Sequence, residues 1–198
     1  MTSPEKKLLV IAGPNGSGKS SLVYHTQLSV SLDRIINPDN YARGLSEQIP
    51  DIVERYRYAM DSCETLRNTL LSQGATFGFE TVASREDKLE FVRKAKASGY
   101  YVDFIFVSAG SPELCYERVQ ERVKMGGHDV PREKVFSRYE RAMKFLPEYI
   151  KIADHAHVWN NGEEGLVLMF EKDGDNSMVT IDGQKTDWVN EYLVPFLS

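Results

Sequence analysis

Apolar residues recur along this chain in two rhythms that take turns, short unbroken runs of strand length and longer stretches spaced three and four residues apart. The first run, Lys7 to Ala12, is apolar after its lysine and stops at a glycine, which predicts a buried strand. Lys19 to Gln27 reads as a helix with Leu22 and Val23 facing inward. Asp33 to Asn37 reads as a second short strand, closed by Pro38, which breaks the pattern and opens a polar segment. From Asp51 to Leu71 the residues Ile52, Tyr56, Met60, Cys63, Leu66 and Leu70 fall at helical spacing, and the chain turns at Gly74. Ala75 to Thr81 is a third strand, Glu86 to Lys96 a helix, and Tyr100 to Val107 a further strand. Ser111 and Pro112 have the character of an N-cap and a first-turn proline, and the helix they start runs through Val123 until Gly126-Gly127 interrupts it. A second helix runs from near Pro131 to about Ile152, with Tyr139, Phe145 and Tyr149 as packing residues, and His155 to Trp159 forms the next strand. Gly165 to Glu171 and Met178 to Ile181 then make a hairpin around Asp173-Gly174-Asp175-Asn176, and Trp188 to Phe196 a last helix.

Strands that alternate with helices pair in parallel, because a parallel pair needs a crossover connection. The expected fold is therefore α/β, a mostly parallel sheet with helices on both faces and a C-terminal hairpin. Ligands of such a sheet sit beyond the carboxyl ends of its strands. The 198 residues suit one domain, 1–198, with no repeat or linker. Hydrophobic residues at 41% and charged residues at 27% match an ordinary globular chain. No apolar run reaches the ~18 residues that a membrane span needs. The polar start, Met1 to Lys7, leads into too few apolar residues for a signal peptide, so the cytoplasm is the expected location and no membrane the expected partner. Cys63 and Cys115 have neither metal-site spacing nor disulfide density and read as reduced thiols. A net charge of -5 offers no general attraction to nucleic acid, so a polynucleotide partner is not expected.

Candidate chemistry is concentrated between the first strand and helix, where Gly13-Pro14-Asn15-Gly16-Ser17-Gly18-Lys19-Ser20 fits the phosphate-loop pattern Gly-x-x-x-x-Gly-Lys-Ser. The glycines let the backbone curl into a nest of N–H groups around phosphates. Lys19 neutralises the outer phosphates, Ser20 offers its hydroxyl oxygen to Mg2+, and the helix N-terminus adds its positive end. Ser21 follows them on the helix and joins the nucleotide-binding set. The fold expectation sharpens accordingly to a P-loop nucleotide-binding enzyme, which the resemblance given below narrows to a P-loop NTPase of kinase-like type.

Glu80 ends an otherwise apolar strand, where a carboxylate is costly unless it faces a polar site or a partner. It reads either as a ligand of the phosphate acceptor or as a rim carboxylate paired with a nearby lysine. Arg118 and Arg122 are four apart and share one helix face, and Arg138 follows across the glycine turn. Together they read as a positively charged helical lid over about residues 118–145, or else as a solvated face with Glu117 and Glu121 as partners. Gly126-Gly127 suits a lid hinge or a plain helix–helix turn. His128 reads as a structural residue or substrate contact rather than a metal ligand, since no second ligand is spaced to help it.

Five segments, taken in order, resemble the zeta toxin family of P-loop kinases, in particular its short single-domain members. They are the phosphate loop, Asn37-Pro38-Asp39, Phe79-Glu80-Thr81, the run Arg122-Val123-Lys124-Met125-Gly126-Gly127-His128-Asp129-Val130-Pro131, and Arg138-Tyr139. The resemblance implies a kinase that moves the terminal phosphate of ATP to a sugar hydroxyl, with nucleotide sugars such as UDP-N-acetylglucosamine as the substrate class and an antitoxin protein as a partner. It further implies Asp39 as the catalytic base, Lys19, Arg122 and Arg138 as catalytic cations, Arg118 on the nucleotide, and Asn37, Glu80, Thr81 and His128 on the substrate. Asp39 also has a plainer reading as a helix N-cap or turn aspartate beside Pro38. The chain departs from the short relatives at Lys144-Phe145, where they carry an asparagine before the aromatic residue, and at Asn160-Asn161-Gly162, where they carry Asp-Asn-Ser.

A P-loop ATPase or nucleotide switch acting on a protein partner is the rival function. It would show an apolar strand ending in an acid, whereas Phe104-Ile105-Phe106-Val107 runs into Ser108-Ala109-Gly110. A kinase of another small molecule shares every feature above, and a polynucleotide kinase would need a basic stripe or aromatic stacking surface that the sequence lacks.

Overall fold

The computed structural model describes residues 6–25, 28–125, 127 and 129–196. Among them β1 (Lys7–Ala12), β2 (Ile35–Ile36), β3 (Phe77–Thr81), β4 (Tyr101–Ser108) and β5 (His155–Gly162) pair in parallel. The antiparallel strands β6 (Gly165–Asp173) and β7 (Asn176–Val179) complete one sheet in the order β2-β3-β1-β4-β5-β6-β7. The helices are α1 (Lys19–His25), α2 (Pro38–Gly44), α3 (Ile52–Ser72), α4 (Glu86–Ala97), α5 (Pro112–Lys124), α6 (Arg132–Ile152), α7 (Ile181–Gln184) and α8 (Asp187–Tyr192).

Alternation along the central strands feeds two cores, which is why β1 and β4 are apolar at nearly every position. Leu8 and Val10 of β1 and Phe104 and Phe106 of β4 join the larger core with Leu89 of α4, Val119 of α5 and Met143 of α6. Leu9, Ile11, Ile105 and Val107 point the other way and pack with Leu22 of α1 and Val30. Helices thus cover both faces, unequally. Because β1 lies between β3 and β4, the carboxyl ends of β3 and β1 open beside each other, with β2 next in the row, and this places the phosphate loop at a reversal of strand order.

Several elements differ from their sequence expectations. The second strand shrinks to Ile35–Ile36, because Leu32–Arg34 forms a 3-10 turn and Asn37 leaves the strand to cap α2. The polar segment after Pro38 is that helix: Asn37 at the N-cap, proline at the first position and Asp39 in the first turn form a start signal whose apolar content was too thin to read. On α3 the buried residues are Ala59, Cys63, Arg67 and Leu71, while Ile52, Met60 and Leu66 of the expected stripe are exposed. Arg67 displaces them because its guanidinium lies over the Phe79 ring at 5.4 Å and within 3.9 Å of Glu64. β5 runs on from Trp159 to Gly162 and forms a first hairpin with β6, so the expected single hairpin is a three-stranded meander. Ile181 falls in α7 rather than in the last strand, and the final helix stops at Tyr192, ahead of a 3-10 turn that contains Pro195. Within residues 118–145, Val119, Val135, Tyr139, Ala142 and Met143 are core residues.

Candidate active site

β1 delivers the chain into the loop at Gly13, and the loop closes into α1 at Gly18, whose carbonyl accepts the Leu22 amide at 3.2 Å. Gly13, Gly16 and Gly18 have φ of 143°, 77° and 92°, a region that favours glycine. Space is as restrictive as conformation. A Cβ on Gly16 would stand 2.1 Å from the Cys115 carbonyl oxygen, and one on Gly13 2.2 Å from that of Val107. The curl is fixed from outside by Asn161, whose Nδ2 donates to the Ser17 carbonyl at 3.0 Å. Arg118 in turn donates to the carbonyls of Asn161 (2.7 Å) and Gly162 (3.2 Å), bracing the β5–β6 turn that carries Asn161.

Lys19 is only 8% exposed and donates to the carbonyls of Gly13 and Pro14 at 2.8 and 2.9 Å, with a Glu80 carboxylate oxygen 3.9 Å away. Burial pushes the Lys19 pKa down, and Glu80 opposes the shift. Burial pushes the Glu80 pKa up, and Lys19 opposes it. Both partners therefore sit in a site that penalises their charged forms, a pattern typical of functional clefts. Phosphate oxygens would be stronger acceptors for Lys19 than neutral carbonyls. Ser17 Oγ, buried and without a hydrogen-bond partner among the described residues, is a further donor inside the loop. Glycine curl, buried ammonium and unused hydroxyl fit a nucleotide phosphate chain. Ser20, exposed on the first turn of α1, is free of the core and fits a hard-cation ligand such as Mg2+ requires.

Opposite Lys19, Asn37 does two jobs. Its Oδ1 caps α2 by accepting from the amides of Asp39 (2.8 Å) and Asn40 (3.3 Å), while its Nδ2 donates to Glu80 at 2.5 Å. The cap role that Asp39 might have filled thus belongs to Asn37, and the Asp39 carboxylate points out with 54% of its side chain exposed. Arg122 Nη1 lies 3.9 Å from it. Gly127 helps to seat Arg122, since a Cβ there would come within 2.6 Å of Arg122 Cγ.

The structure therefore gathers Lys19, Asn37, Asp39, Glu80 and Arg122 at the loop mouth. Arg138 joins from α6 by donating to Asn15 Oδ1 at 3.1 Å, and burial, then the charges of Arg141 and Arg85, lower its pKa. Thr81 is turned to structure: its Oγ1 accepts the Ala83 amide at 3.1 Å and shapes a turn in which Ala83 has φ 57°. Gly126 and His128 lie outside the described residues, and Ser21 is exposed on α1 beside Ser20. Sequence reasoning missed the latch by Asn161, a contact 144 residues long in sequence, for which no local signal exists.

A kinase-like P-loop fold with charged side chains gathered at the loop mouth is the class that these features define. A family model described as "Zeta toxin" matches residues 1–173, and the chain belongs to that family. A protein of Haemophilus influenzae described as uncharacterised is 28% identical over 137 residues, 68% of this chain and 94% of that one. Among solved structures, a chain of the AvrRxo1-ORF1:-ORF2 complex with ATP is similar at TM-score 0.78 and 18% identity, covering 98% of this chain and 65% of that chain. This chain thus spans about two thirds of that protein's length. A chain from the PezAT chromosomal toxin-antitoxin system of Streptococcus pneumoniae has TM-score 0.60 at 16% identity, covering 99% of this chain and 85% of that one. No helix among the described residues is long and apolar enough to cross a membrane.

Proposed function

We propose that this chain transfers the terminal phosphate of ATP to a sugar hydroxyl of a nucleotide sugar such as UDP-N-acetylglucosamine. The observation that carries this reading is the pairing of a phosphate loop with an exposed carboxylate, Asp39, held beside Arg122 and next to the Glu80–Asn37 pair. In the proposed reaction Asp39 takes the proton of the acceptor hydroxyl, the oxygen attacks the terminal phosphorus, and ADP leaves. Glu80 and Asn37 bind acceptor hydroxyls. The loop amides and Lys19 hold the nucleotide, and Arg122 and Arg138 supply positive charge to the transferring group. When bound, Mg2+ held through Ser20 neutralises phosphate charge. Membership of the family and the toxin-antitoxin assembly named for the PezAT structure support two further proposals, an antitoxin protein as partner and a cytoplasmic location.

Hydrolysis without an acceptor is the second reading, favoured by one observation: Glu80 provides, on β3, an acid within 3.9 Å of Lys19. Mass spectrometry of a metabolite extract incubated with ATP, Mg2+ and the protein decides between them. Transfer yields a species heavier by one phosphoryl group, absent with Lys19→Ala and reproduced with pure UDP-N-acetylglucosamine. ADP alone, with no phosphorylated product, would refute the kinase.

A further inference from the structure

At the other end of β5 from the loop, a second group of side chains has the make-up of a metal site. His155 and His157 are two apart on a strand and so project from one face. The β6 register sets Glu171 opposite His157. The imidazoles meet edge to face with centroids 4.4 Å apart, and His157 Nε2 lies 3.5 Å from Glu171 Oε1. One ligand atom from each of the three residues falls within 4.8 Å of the others.

We propose that His155, His157 and Glu171 bind a divalent transition-metal ion of the zinc class. Tetrahedral coordination with bonds of about 2.0–2.2 Å separates ligand atoms by ~3.4 Å, so side-chain rotations of roughly an ångström close the set. The three side chains are 26%, 23% and 42% exposed, which leaves a path for the ion and room for water in a fourth position.

Asp103 supplies an independent observation. It is a carboxylate only 6% exposed, on a strand whose neighbours Val102, Phe104, Ile105, Phe106 and Val107 are buried hydrophobics. Burial of that kind requires a partner. Asp103 Oδ1 lies 2.9 Å from His155 Nδ1. A carboxylate at Nδ1 makes that nitrogen the donor and turns the Nε2 lone pair outward, the arrangement that orients metal-binding histidines. With Glu171, Asp103 also brings two negative charges to balance the ion.

Two imidazoles and one carboxylate suit zinc, copper or nickel rather than Mg2+, so this site is chemically distinct from the one at Ser20. A bound ion would fasten β6 to β5 and, through Asp103, to β4. His157 is four residues from Asn161, ~13 Å along the strand at about 3.3 Å per residue, so the ion would stiffen the same strand that latches the phosphate loop.

Chelator-treated full-length protein, titrated calorimetrically with Zn2+ in nucleotide-free buffer, tests the proposal. Uptake of one Zn2+ per chain is expected, together with a higher Tm and, with Co2+ as the probe, the visible absorption of a tetrahedral ion. His157→Ala and Glu171→Gln, both at partly exposed positions, should each weaken Zn2+ at least about tenfold and remove the Tm rise while still binding Mg-ATP. Asp103→Asn should weaken Zn2+ by about 10- to 100-fold, as expected for a residue that positions a ligand. The proposal is overturned if the parent takes up no Zn2+, or if His157→Ala and Glu171→Gln bind it as tightly as the parent.

Discussion

Replacing Asp39 with asparagine should separate folding, nucleotide binding and chemistry, because the structure assigns this carboxylate so little else to do. Asn37, not Asp39, caps α2, and it takes hydrogen bonds from backbone amides that the substitution leaves in place. What Asp39→Asn removes from the folded state is a charge in the first turn of a short helix, about 0.3–1 kcal/mol, and a largely exposed 3.9 Å pairing with Arg122, about 0.2–1 kcal/mol before screening. The sum is about 1 kcal/mol, which in a chain of this length shifts Tm by about 2–4 °C. A positioned general base contributes about 10²- to 10⁴-fold, or roughly 2.7–5.5 kcal/mol of barrier. The kinetic effect therefore exceeds the structural one severalfold. The assay pairs calorimetry of Mg-ATP binding with phosphotransfer to UDP-N-acetylglucosamine. Near-parental affinity with a rate at least a hundredfold lower is expected. Affinity and rate falling together would make Asp39 a metal anchor, and an unchanged rate would refute any role in proton transfer.

Three further outcomes follow from the same geometry. Arg122→Ala or Arg138→Ala should lower kcat by more than tenfold while changing Mg-ATP affinity less than about threefold, because charge that meets the transferring group is felt in the transition state. Normal turnover in both variants would make them surface cations. Asn161→Ala, which removes the latch on Ser17, should weaken nucleotide binding by about one hydrogen bond's worth, roughly 0.5–1.5 kcal/mol or a 2- to 12-fold rise in Kd, and an unchanged Kd would show that the loop holds its curl alone. For alkaline pH, burial raises the Cys115 thiol from 9.0 to about 11 and the Tyr139 hydroxyl from 10.0 to about 12. Both groups hold their protons longer in the folded state, so their contribution is fully present below about pH 9 and is lost as pH rises through 11 and 12. Denaturant melts should show stability falling across that window, and a thiol reagent at pH 8 should label neither Cys63 nor Cys115, both buried, until the chain unfolds; rapid labelling of the folded protein would contradict their burial.

By itself the sequence determined the parts whose causes are local. Lys7 to Ala12 is apolar enough to be a buried strand wherever it goes, Ser111-Pro112 caps α5 with a 3.2 Å bond to the Leu114 amide, and the glycines of the loop permit a curl that few other residues allow. Glu80 was legible because a carboxylate at the end of an apolar strand has few uses besides a site, Lys19 because the loop pattern includes it, and Asp39, Arg122 and Arg138 through the segments that carry the family resemblance. Only the tertiary structure decided what each one touches. That Asn37 holds Glu80, that Arg118 braces a turn 43 residues away, and that Asn161 reaches back to Ser17 are contacts between elements whose spacing carries no period. The α3 helix formed as expected but its stripe held only in part, for Cys63 and Leu70 pack into the core while Ile52, Met60 and Leu66 stay exposed. Periodicity reports which residues can share a face, but packing chose the face with Arg67, because the Phe79 ring was there to receive its guanidinium and no local rule counts a buried arginine as core.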